Sequence, residues 1–494
     1  MFRLKPVFST LIVAGLINCI AREAGAQSSA GVVHYMRSTT PSFDTYTNSP
    51  STTTEQWMNQ HFWRMLEYSP YFDSRLSWFP NAFVYIDTYA IYTGSALVSQ
   101  HPEWILKDAN GNRLFIPWGC SNGTCPQYAA DTSNPAYQQY WISQAAAIMA
   151  GAGYKGIFCD DVNMEFRVSD GNSNFVDPID PNTGTAMTWD NWRSYMAGFM
   201  EQVRSSFPNT EIVHNSIWYA GPAGINDQDP YIQRQIKAAN YQYVEFGVTD
   251  GGLTGGTGFW SLNSLLGYMD RLHTDNQGVI IGGMPLDTAG REYAVANYYL
   301  VSAGHDSVAD VVSTPDNWWA GFNVNLGSPS GARTMWNNLL RRDFAGGIVL
   351  VNPPQSAAVT VTLPATYKRV DGTQVTSVTL QAGQGVVLQG TSTASSPLPA
   401  PTGSLAVNLT YPVGGSFPRG TALTIYATAS YATAVKFYVD GWYQVGPEIV
   451  WGGPYYSATW NTGSLGGHYH TLTAVARDSA GHTVTSGSVQ VYIP

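Results

Sequence analysis

The stretch "GYKGIFCDDVNMEF", residues 153–166, decides the fold. Its apolar run, Gly156–Cys159, stops at two adjacent carboxylates, Asp160 and Asp161. A short apolar run with no polar alternation is typical of a strand that is buried on both faces, as in a parallel sheet. Helical patterns precede and follow the run, so the stretch predicts a strand in an alternating α/β fold that carries acidic groups at its C-terminal end.

Short apolar runs alternate with amphipathic helical patterns throughout the chain before residue 340. The candidate strands are Val32–Tyr35, Phe83–Asp87, Tyr128–Asp131, Gly156–Asp160, Glu211–Asn215, Tyr243–Glu245, Val279–Gly282 and Ser307–Asp310. Eight such strands with intervening helices predict a (β/α)₈ TIM barrel. Tyr128–Asp131 is the least strongly indicated of the eight strands. Without it the count is seven, and the numbering of the later strands shifts by one.

The composition changes twice after the barrel. Residues 341–390 show β patterning such as "GGIVLVNPP", which predicts a small antiparallel β-domain. A Ser/Thr/Pro-rich linker covers residues 391–403. Residues 404–494 have the size and strand pattern of an Ig-like β-sandwich. The sequence therefore divides into a barrel (27–340), a β-domain, a linker and a C-terminal sandwich.

The N-terminus has the pattern of a secretory signal peptide, residues 1–26. Arg3 and Lys5 precede an apolar run, Val7–Ile20, and small residues at 24–26 provide a cleavage site. A lipoprotein site at Cys19 is an alternative, but Asn18 is a poor residue before a lipidated cysteine. We expect a protein exported to the periplasm or the extracellular space.

The composition of the chain indicates which classes of partner it can bind. Charged residues make up only 12% of the chain, aromatic residues make up 13%, and the net charge is −10. Such an acidic surface repels phosphate backbones, so nucleic acid is excluded as a partner. The later sequence contains no run long enough to span a membrane. Aromatic and amide-rich surfaces suit contact with sugars, and we expect a monomer that needs no cofactor.

Cys120 and Cys125 flank the turn-forming sequence Ser-Asn-Gly-Thr. In an exported protein this spacing predicts a small disulfide loop. A metal site at this CxxxxC pair is the alternative, but no histidine lies nearby in the sequence. Cys159 is left as a buried free thiol on its strand.

Polar groups stand at the ends of many of the predicted strands. They are Asp87, Asp131, Asp160, Asn215, Glu245 and Asp310. Each Asp alone is readily explained as a turn former or a helix cap. In a TIM barrel, however, the C-terminal ends of the strands form the active site, so these groups are expected to converge there.

Glycoside hydrolysis requires two carboxyl groups on opposite sides of the scissile bond. Neighbours on one strand point to opposite faces, so Asp160 and Asp161 are not expected to form that pair. We predict Asp160 and Glu245 as the catalytic pair, with Asp161 as a ligand of substrate hydroxyls. The further predicted substrate-binding residues are Asp87, Asp131, Tyr35, Asn215, Trp218 and Asp310. Exposed tryptophans at 118 and 260 are also candidate sugar contacts.

Two other functional classes remain open at this point. The barrel can be a catalytically silent carbohydrate-binding or adhesion protein. Alternatively, Asp87, Asp131 and Asp160 can hold the metal ion of a metal-dependent hydrolase, although we assign no metal. The chain contains no HExxH, GxxxxGK[ST] or GxSxG motif, which argues against zinc proteases, P-loop nucleotide enzymes and serine hydrolases.

Several segments resemble a known group of proteins. The segments "WILKDANGNRLF", "ADTSNPAYQQYW", "GYKGIFCDDVN" and "RRDFAGGIVLVNP" are similar to glycosyl hydrolase-like bacterial barrels. Those barrels are distant relatives of α-galactosidases, α-amylases and glycoside hydrolase family 114, the endo-α-1,4-polygalactosaminidases. The resemblance covers roughly residues 31–390 and implies a catalytic Asp ending the fourth strand and a Glu ending the sixth. Asp160 and Glu245 match these positions, and the α-galactosidase likeness implies retention of configuration.

The C-terminal segments "VKFYVDG" and "HYHTLTAVARDSAGH" resemble bacterial Ig-like domains. Such domains act as spacers or as weak binders of carbohydrates and cell surfaces. The segments are core and turn positions of a sandwich, which favours a structural role.

Overall fold

The computed structural model describes residues 30–172, 174–216, 229–256, 260–391, 404–430, 432, 434–450, 455–465, 467–478 and 481–494. The predicted signal peptide, Trp218 and all of the predicted linker except Thr391 lie outside the described residues. No helix in the described ranges has the length and apolar character of a membrane span.

The N-terminal part is a closed barrel of eight parallel strands. The first ten strands in chain order are β1 (Tyr35–Ser38), β2 (Arg64–Glu67), β3 (Ala82–Asp87), β4 (Ala90–Tyr92), β5 (Gln127–Ala129), β6 (Gly156–Asp160), β7 (Glu211–Asn215), β8 (Tyr241–Val244), β9 (Gly278–Ile281) and β10 (Ser307–Asp310). All of them except β4 and β5 form the barrel, in the order β1-β2-β3-β6-β7-β8-β9-β10, and β10 closes on β1. The predicted TIM barrel is confirmed.

The prediction of the third strand was wrong. Residues 127–129 form β5, which pairs antiparallel with β4 in a separate two-stranded sheet between β3 and β6. The barrel strand that the sequence analysis missed is β2, because "RMLE" has charged residues at both ends although all four are buried. One strand was predicted wrongly and one was missed before Gly156, so the predicted number of preceding barrel strands is still correct. Gly156–Asp160 is therefore still the fourth barrel strand, and Glu245 directly follows the sixth.

Eight α-helices are described in the chain. They are α1 (Asp44–Thr47), α2 (Thr52–His61), α3 (Leu97–Gln100), α4 (Pro135–Ala152), α5 (Trp189–Ser206), α6 (Pro230–Lys237), α7 (Leu262–Thr274) and α8 (Thr288–Val301). The longer helices, α2 and α4–α8, begin with side-chain caps. Asn134 accepts the Ala136 and Tyr137 N–H groups before α4, and Pro135 occupies the first helical position. Such a cap stabilises a helix by about 1 kcal/mol. The helix ends at Gly153, whose left-handed φ of 83° turns the chain towards β6.

Strand alternation determines which side chains face the inside of the barrel. A compact cluster of Met36, Leu66, Phe83, Phe158, Val213, Ile280 and Ala309 fills the interior. Side chains two positions apart on a strand share a face, so the residues that follow Phe83, Phe158 and Val213 by two positions also face inward. They are Tyr85, Asp160 and Asn215. At the N-terminal end the Arg64 guanidinium binds the Glu211 carboxylate at 2.8 Å. Asp160 and Asn215 lie at the opposite, C-terminal end, where a ligand of the barrel is expected to bind.

The rest of the chain is antiparallel β-structure. Its strands are β11 (Thr334–Trp336), β12 (Leu339–Phe344), β13 (Gly347–Asn352), β14 (Val359–Lys368), β15 (Gln374–Leu380), β16 (Gln384–Gly390), β17 (Ala406–Tyr411), β18 (Ala422–Ser430), β19 (Ala434–Val439), β20 (Tyr443–Val450), β21 (Tyr455–Asn461), β22 (Tyr469–Arg477), β23 (Thr483–Thr485) and β24 (Val489–Tyr492). Strands β11–β16 form one six-stranded sheet. One face of it joins the barrel core through Leu340, Val349 and Val387.

Strands β17–β24 form the two sheets of a sandwich. One sheet has the order β17-β18-β21, and the other contains β20, β19, β22, β23 and β24. The sandwich has its own buried core, which includes Ile425, Phe437 and Trp460. The predicted C-terminal Ig-like fold is confirmed. The domain boundaries at 340, 391 and 403 remain proposals.

Candidate active site

Asp160 is the last residue of β6, and two neighbouring strands supply donors to its carboxylate. The Asn215 amide at the end of β7 donates to Asp160 Oδ1 at 2.7 Å. The Tyr85 hydroxyl of β3 donates to Asp160 Oδ2 and also contacts Asp87 Oδ1 at 3.0 Å. These contacts hold both oxygens of Asp160, so the carboxylate has a fixed orientation at the mouth of the barrel.

Glu245 approaches Asp160 from two strands further round the barrel. It directly follows β8 and is exposed at the rim. The same Asn215 amide nitrogen that contacts Asp160 lies 3.4 Å from Glu245 Oε2. Since both oxygens lie this close to one nitrogen, they are at most about 6 Å apart, which suits a pair of carboxyl groups acting on one bond.

The adjacent acids do not point apart as strand alternation predicted. Asp161 follows the last residue of β6 and adopts a left-handed backbone with φ 55°. The alternation rule applies only inside a strand, and this turn brings the Asp161 carboxylate back to its neighbours. Oxygens of Asp87, Asp160 and Asp161 all lie within 4.8 Å of one another. The Asn163 amide donates to Asp161 Oδ1 at 2.9 Å.

Crowding of these acids changes their ionisation. Burial, followed by the charge of Asp160, raises the pKa of Asp161 to about 7. Burial and the charge of Asp160 also raise the pKa of Asp87. The pKa of Glu245 is also raised, first by the partial removal of its carboxyl group from water at the mouth of the barrel and then by the charge of Asp160, against the opposing effect of the Asn215 contact. The site therefore keeps protons on some of its carboxyl groups near neutral pH, as an acid catalyst requires.

Tyrosines surround Asp87 and were missed by the sequence analysis. The Tyr92 hydroxyl donates to Asp87 Oδ2 at 2.9 Å, and half of the Tyr92 side chain is exposed. The ring of Tyr68, which is also half exposed, lies 4.8 Å from the ring of Tyr85. Tyr85 is two residues before Asp87 on one strand, so the two-residue period was a usable signal for its position. These rings give the mouth of the barrel an aromatic wall that suits the apolar faces of sugars.

Two of the predicted substrate-binding residues, Tyr35 and Asp310, lie outside the group of side chains around Asp160. Tyr35 and Asp310 bind each other through hydroxyl and carboxylate, and they are only 1% and 6% exposed. Both point away from the barrel interior, because the inward residues of their strands are Met36 and Ala309. Asp310 also accepts the Val312 N–H at 2.8 Å, as a turn-forming aspartate does.

Asp131 was predicted on a barrel strand, and that placement was wrong because β5 is not part of the barrel. Its carboxylate is buried and accepts both the N–H and the hydroxyl of Ser133, at 2.9 and 2.6 Å. This Asx turn leads into the cap of α4. Asp131 thus has a structural partner, and Asp161 takes its place beside Asp87 and Asp160.

The remaining predicted residues have different outcomes. The disulfide between Cys120 and Cys125 is present, and Cys159 is a buried free thiol. Trp118 is 65% exposed in the same loop as the disulfide, whereas Trp260 packs partly against the core. Trp218 lies outside the described residues. A divalent cation would find oxygen ligands at Asp87, Asp160 and Asp161, as hard cations prefer.

Comparison with known proteins finds a family match within the barrel and another within the C-terminal sandwich. Residues 70–224 match the model of the hypothetical glycosyl hydrolase family 15, and residues 406–474 match that of a bacterial Ig domain. The barrel resembles a glycosyl hydrolase. The matched segment contains Asp87, Asp160, Asp161 and Asn215 but ends before Glu245. No curated protein matches the chain.

Solved structures with similar folds include glycoside hydrolases. The maltogenic α-amylase AmyB from Thermotoga neapolitana is 10% identical, with a TM-score of 0.41, and the match covers 73% of this chain and 99% of that chain. The glycoside hydrolase domain of PelA from Pseudomonas aeruginosa is 14% identical, with a TM-score of 0.33, and 60% and 98% are covered. Fibronectin(III)-like modules of CbhA from Clostridium thermocellum are 27% identical, with a TM-score of 0.16, and 18% and 95% are covered. The family match supports a carbohydrate-active enzyme.

Proposed function

We propose that the protein is a secreted glycoside hydrolase that cleaves a polysaccharide or oligosaccharide with Asp160 and Glu245. The observation that carries this proposal is the Asn215 amide, which contacts one oxygen of each carboxyl group at 2.7 and 3.4 Å. A shared donor holds both carboxyl groups close to one point of the site. Two acids from different strands can thus act on one glycosidic bond.

In this proposal Asp160 is the nucleophile. Contacts at both of its oxygens, from Tyr85 and Asn215, orient the carboxylate towards the opening of the barrel. Its attack on the anomeric carbon breaks the glycosidic bond and forms a glycosyl-enzyme ester. A hydroxyl of the substrate that binds near Asp87 or Asp161 would be held by those acids during the attack.

Glu245 is the general acid and base. Its raised pKa lets it hold a proton for the departing oxygen. Once ionised, it accepts a proton from the water that hydrolyses the ester, and it is then ready for the next cycle. The upper limit of about 6 Å between its oxygen and that of Asp160 lies below the 6.5–9.5 Å that separates the carboxyl groups of inverting enzymes, and it admits the roughly 5–5.5 Å of retaining ones. This spacing supports retention of configuration.

Export of the protein is also part of the proposal. Its support is the charged and apolar pattern of residues 1–26, which lie outside the described residues. The disulfide at Cys120 and Cys125 is consistent with an oxidising compartment. N-terminal sequencing of the exported protein should begin at Gln27, and a retained leader would contradict this part.

The test of function is a panel of polysaccharides and oligosaccharides, with product analysis, for the wild type, Asp160→Asn and Glu245→Gln. Both replacements are nearly isosteric, so the variants should fold, and each should lose at least about a hundredfold in rate. Sugar binding by all three proteins without turnover would instead support a carbohydrate-binding barrel. Turnover that is abolished by a chelator and restored by a divalent cation would support the metal-dependent alternative at Asp87, Asp160 and Asp161.

A further inference from the structure

A group of metal-ligating side chains lies in the Ig-like sandwich, outside the barrel. Asp440 is in the turn between β19 and β20, His468 directly precedes β22, and His470 is the second residue of β22. One ligand atom from each of these three residues lies within 4.8 Å of the others. Among the residues that the structure describes, this group and the three aspartates of the active site are the sets with such an arrangement.

The local backbone brings the three residues together. Asp440 has a left-handed φ of 53°, and Gly441 follows with φ 72°, as a tight hairpin turn requires. The Asp440 N–H donates to the Thr471 carbonyl at 2.7 Å, which ties the turn to β22. His468 and His470 are two positions apart, so both side chains project from the same face of the chain. Their rings lie 4.2 Å apart.

The Asp440 carboxylate is oriented as a ligand would be. Its Oδ1 accepts the Thr471 N–H at 2.8 Å, which leaves Oδ2 directed at His470 Nδ1, 2.7 Å away. Backbone donors commonly fix a ligating carboxylate in this way while its second oxygen binds the metal. His470 itself is buried, and its ring packs edge-on against Trp460 at 5.2 Å. Two of the three groups are therefore held in place before any ion binds.

We propose that Asp440, His468 and His470 bind a divalent transition-metal ion of the Zn²⁺ type. Two imidazoles and one carboxylate are a donor set that Zn²⁺ accepts, and hard ions such as Ca²⁺ and Mg²⁺ prefer oxygen alone. The ion takes the place of the proton between Asp440 and His470. His468 is exposed, so a fourth position remains open to water or to a group from another molecule.

Binding requires only a small rearrangement. Tetrahedral Zn²⁺ has bonds of about 2.0–2.1 Å to nitrogen and oxygen, which places its ligand atoms about 3.3 Å from one another. The 2.7 Å contact between Asp440 and His470 must therefore open slightly, while the contacts to His468 close from at most 4.8 Å. The side chain of His468 can make this movement because it is exposed.

The test is calorimetric titration of the tag-free, full-length protein with ZnCl₂ at pH 7.5. Three variants are compared with the wild type: His468→Gln, His482→Gln and Asp160→Asn. His482 is the matched control, since it is an exposed histidine of the same sandwich that contacts one aspartate, Asp478, at 2.9 Å. His468→Gln removes an exposed ligand and should leave folding intact.

We expect one Zn²⁺ per chain. His468→Gln should weaken the affinity for Zn²⁺ at least about tenfold. Loss of a residue that only supports a metal ligand already costs about that much in affinity, and loss of a ligand should cost no less. His482→Gln and Asp160→Asn should bind within about twofold of the wild type. The proposal is overturned if the wild type does not bind, if His468→Gln binds as the wild type does, or if Asp160→Asn alone loses the ion.

Discussion

Asp161→Asn should stabilise the barrel at alkaline pH and leave its stability at acidic pH nearly unchanged. The replacement keeps the oxygen that accepts the Asn163 amide at 2.9 Å and removes a carboxyl group that is crowded against Asp160 and Asp87. Burial and the charge of Asp160 raise the pKa of Asp161 from an ordinary value of 3.8 to about 7. Ionising this group therefore costs more in the folded protein than in the unfolded chain.

The sign of the effect follows from proton binding. Between pH 3.8 and about 7 the folded protein keeps a proton on Asp161 that the unfolded chain has released, so stability falls as the pH rises through this window. A tenfold change in an ionisation constant is about 1.4 kcal/mol, which makes the full cost at most about 4 kcal/mol. Since Asp160 shares the local charge, we expect a gain of about 2–4 kcal/mol for Asp161→Asn at pH 8. At pH 4 the folded group is protonated and the unfolded one is little more than half ionised, so the gain should fall below about 1 kcal/mol.

Differential scanning calorimetry at pH 4 and pH 8 measures this effect, read from the transition of the barrel. The matched control is Asp177→Asn, which replaces an exposed aspartate in the loop that follows β6. The control should change the melting temperature little at either pH. Equal gains for Asp161→Asn at both pH values, or a loss at pH 8, would refute the electrostatic account of this site.

Three further predictions concern other parts of the chain. Tyr85→Phe removes the hydroxyl that contacts Asp87 and Asp160. We expect kcat to fall about tenfold to a hundredfold, in line with a lost hydrogen bond to a charged group. Unchanged kcat on a confirmed substrate would show that this hydroxyl is dispensable. Limited proteolysis should cut within residues 391–403 and release two stable fragments, because few contacts are expected across a linker of this composition; resistance of that segment would argue against the proposed boundary. Thiol titration of the denatured mature protein should detect one free thiol, that of Cys159, whereas three would mean that the disulfide is absent in solution.

The sequence was sufficient to predict the barrel and the position of Asp160, but not every strand. The apolar run before Asp160 has the pattern of a strand buried on both faces, and the structure contains that strand. The segment at Tyr128 has a similar apolar pattern yet pairs antiparallel outside the barrel, since a short run does not reveal its partner. The strand Arg64–Glu67 was missed because both of its ends are charged residue types. Their burial depends on tertiary partners, which are the Glu211 carboxylate for Arg64 and the Thr39 hydroxyl for Glu67.

The candidate site was only partly predictable for similar reasons. Residues on the inward face, such as Asp87, Asp160 and Asn215, could be found from their strand ends. The direction of Asp161 could not, because it depends on a single left-handed φ of 55° just beyond the strand. Asp310 ends its strand at the correct rim but on the outward face, and only the strand register distinguishes the two faces. Tyr35 was predicted to end the first strand, but it begins β1.

The central claim is that Asp160 forms a covalent bond to the sugar while Glu245 transfers the proton. Once the glycan panel has identified a substrate, a fluorinated glycosyl fluoride of the same sugar should trap the intermediate. Intact-mass analysis should then show one added glycosyl group per chain, and peptide mapping should locate it on Asp160. The label should persist longer in Glu245→Gln than in the wild type, because the variant lacks the base that assists hydrolysis of the ester. A label on Asp87, Asp161 or Glu245, or hydrolysis with inverted configuration and no label, would contradict the proposed mechanism.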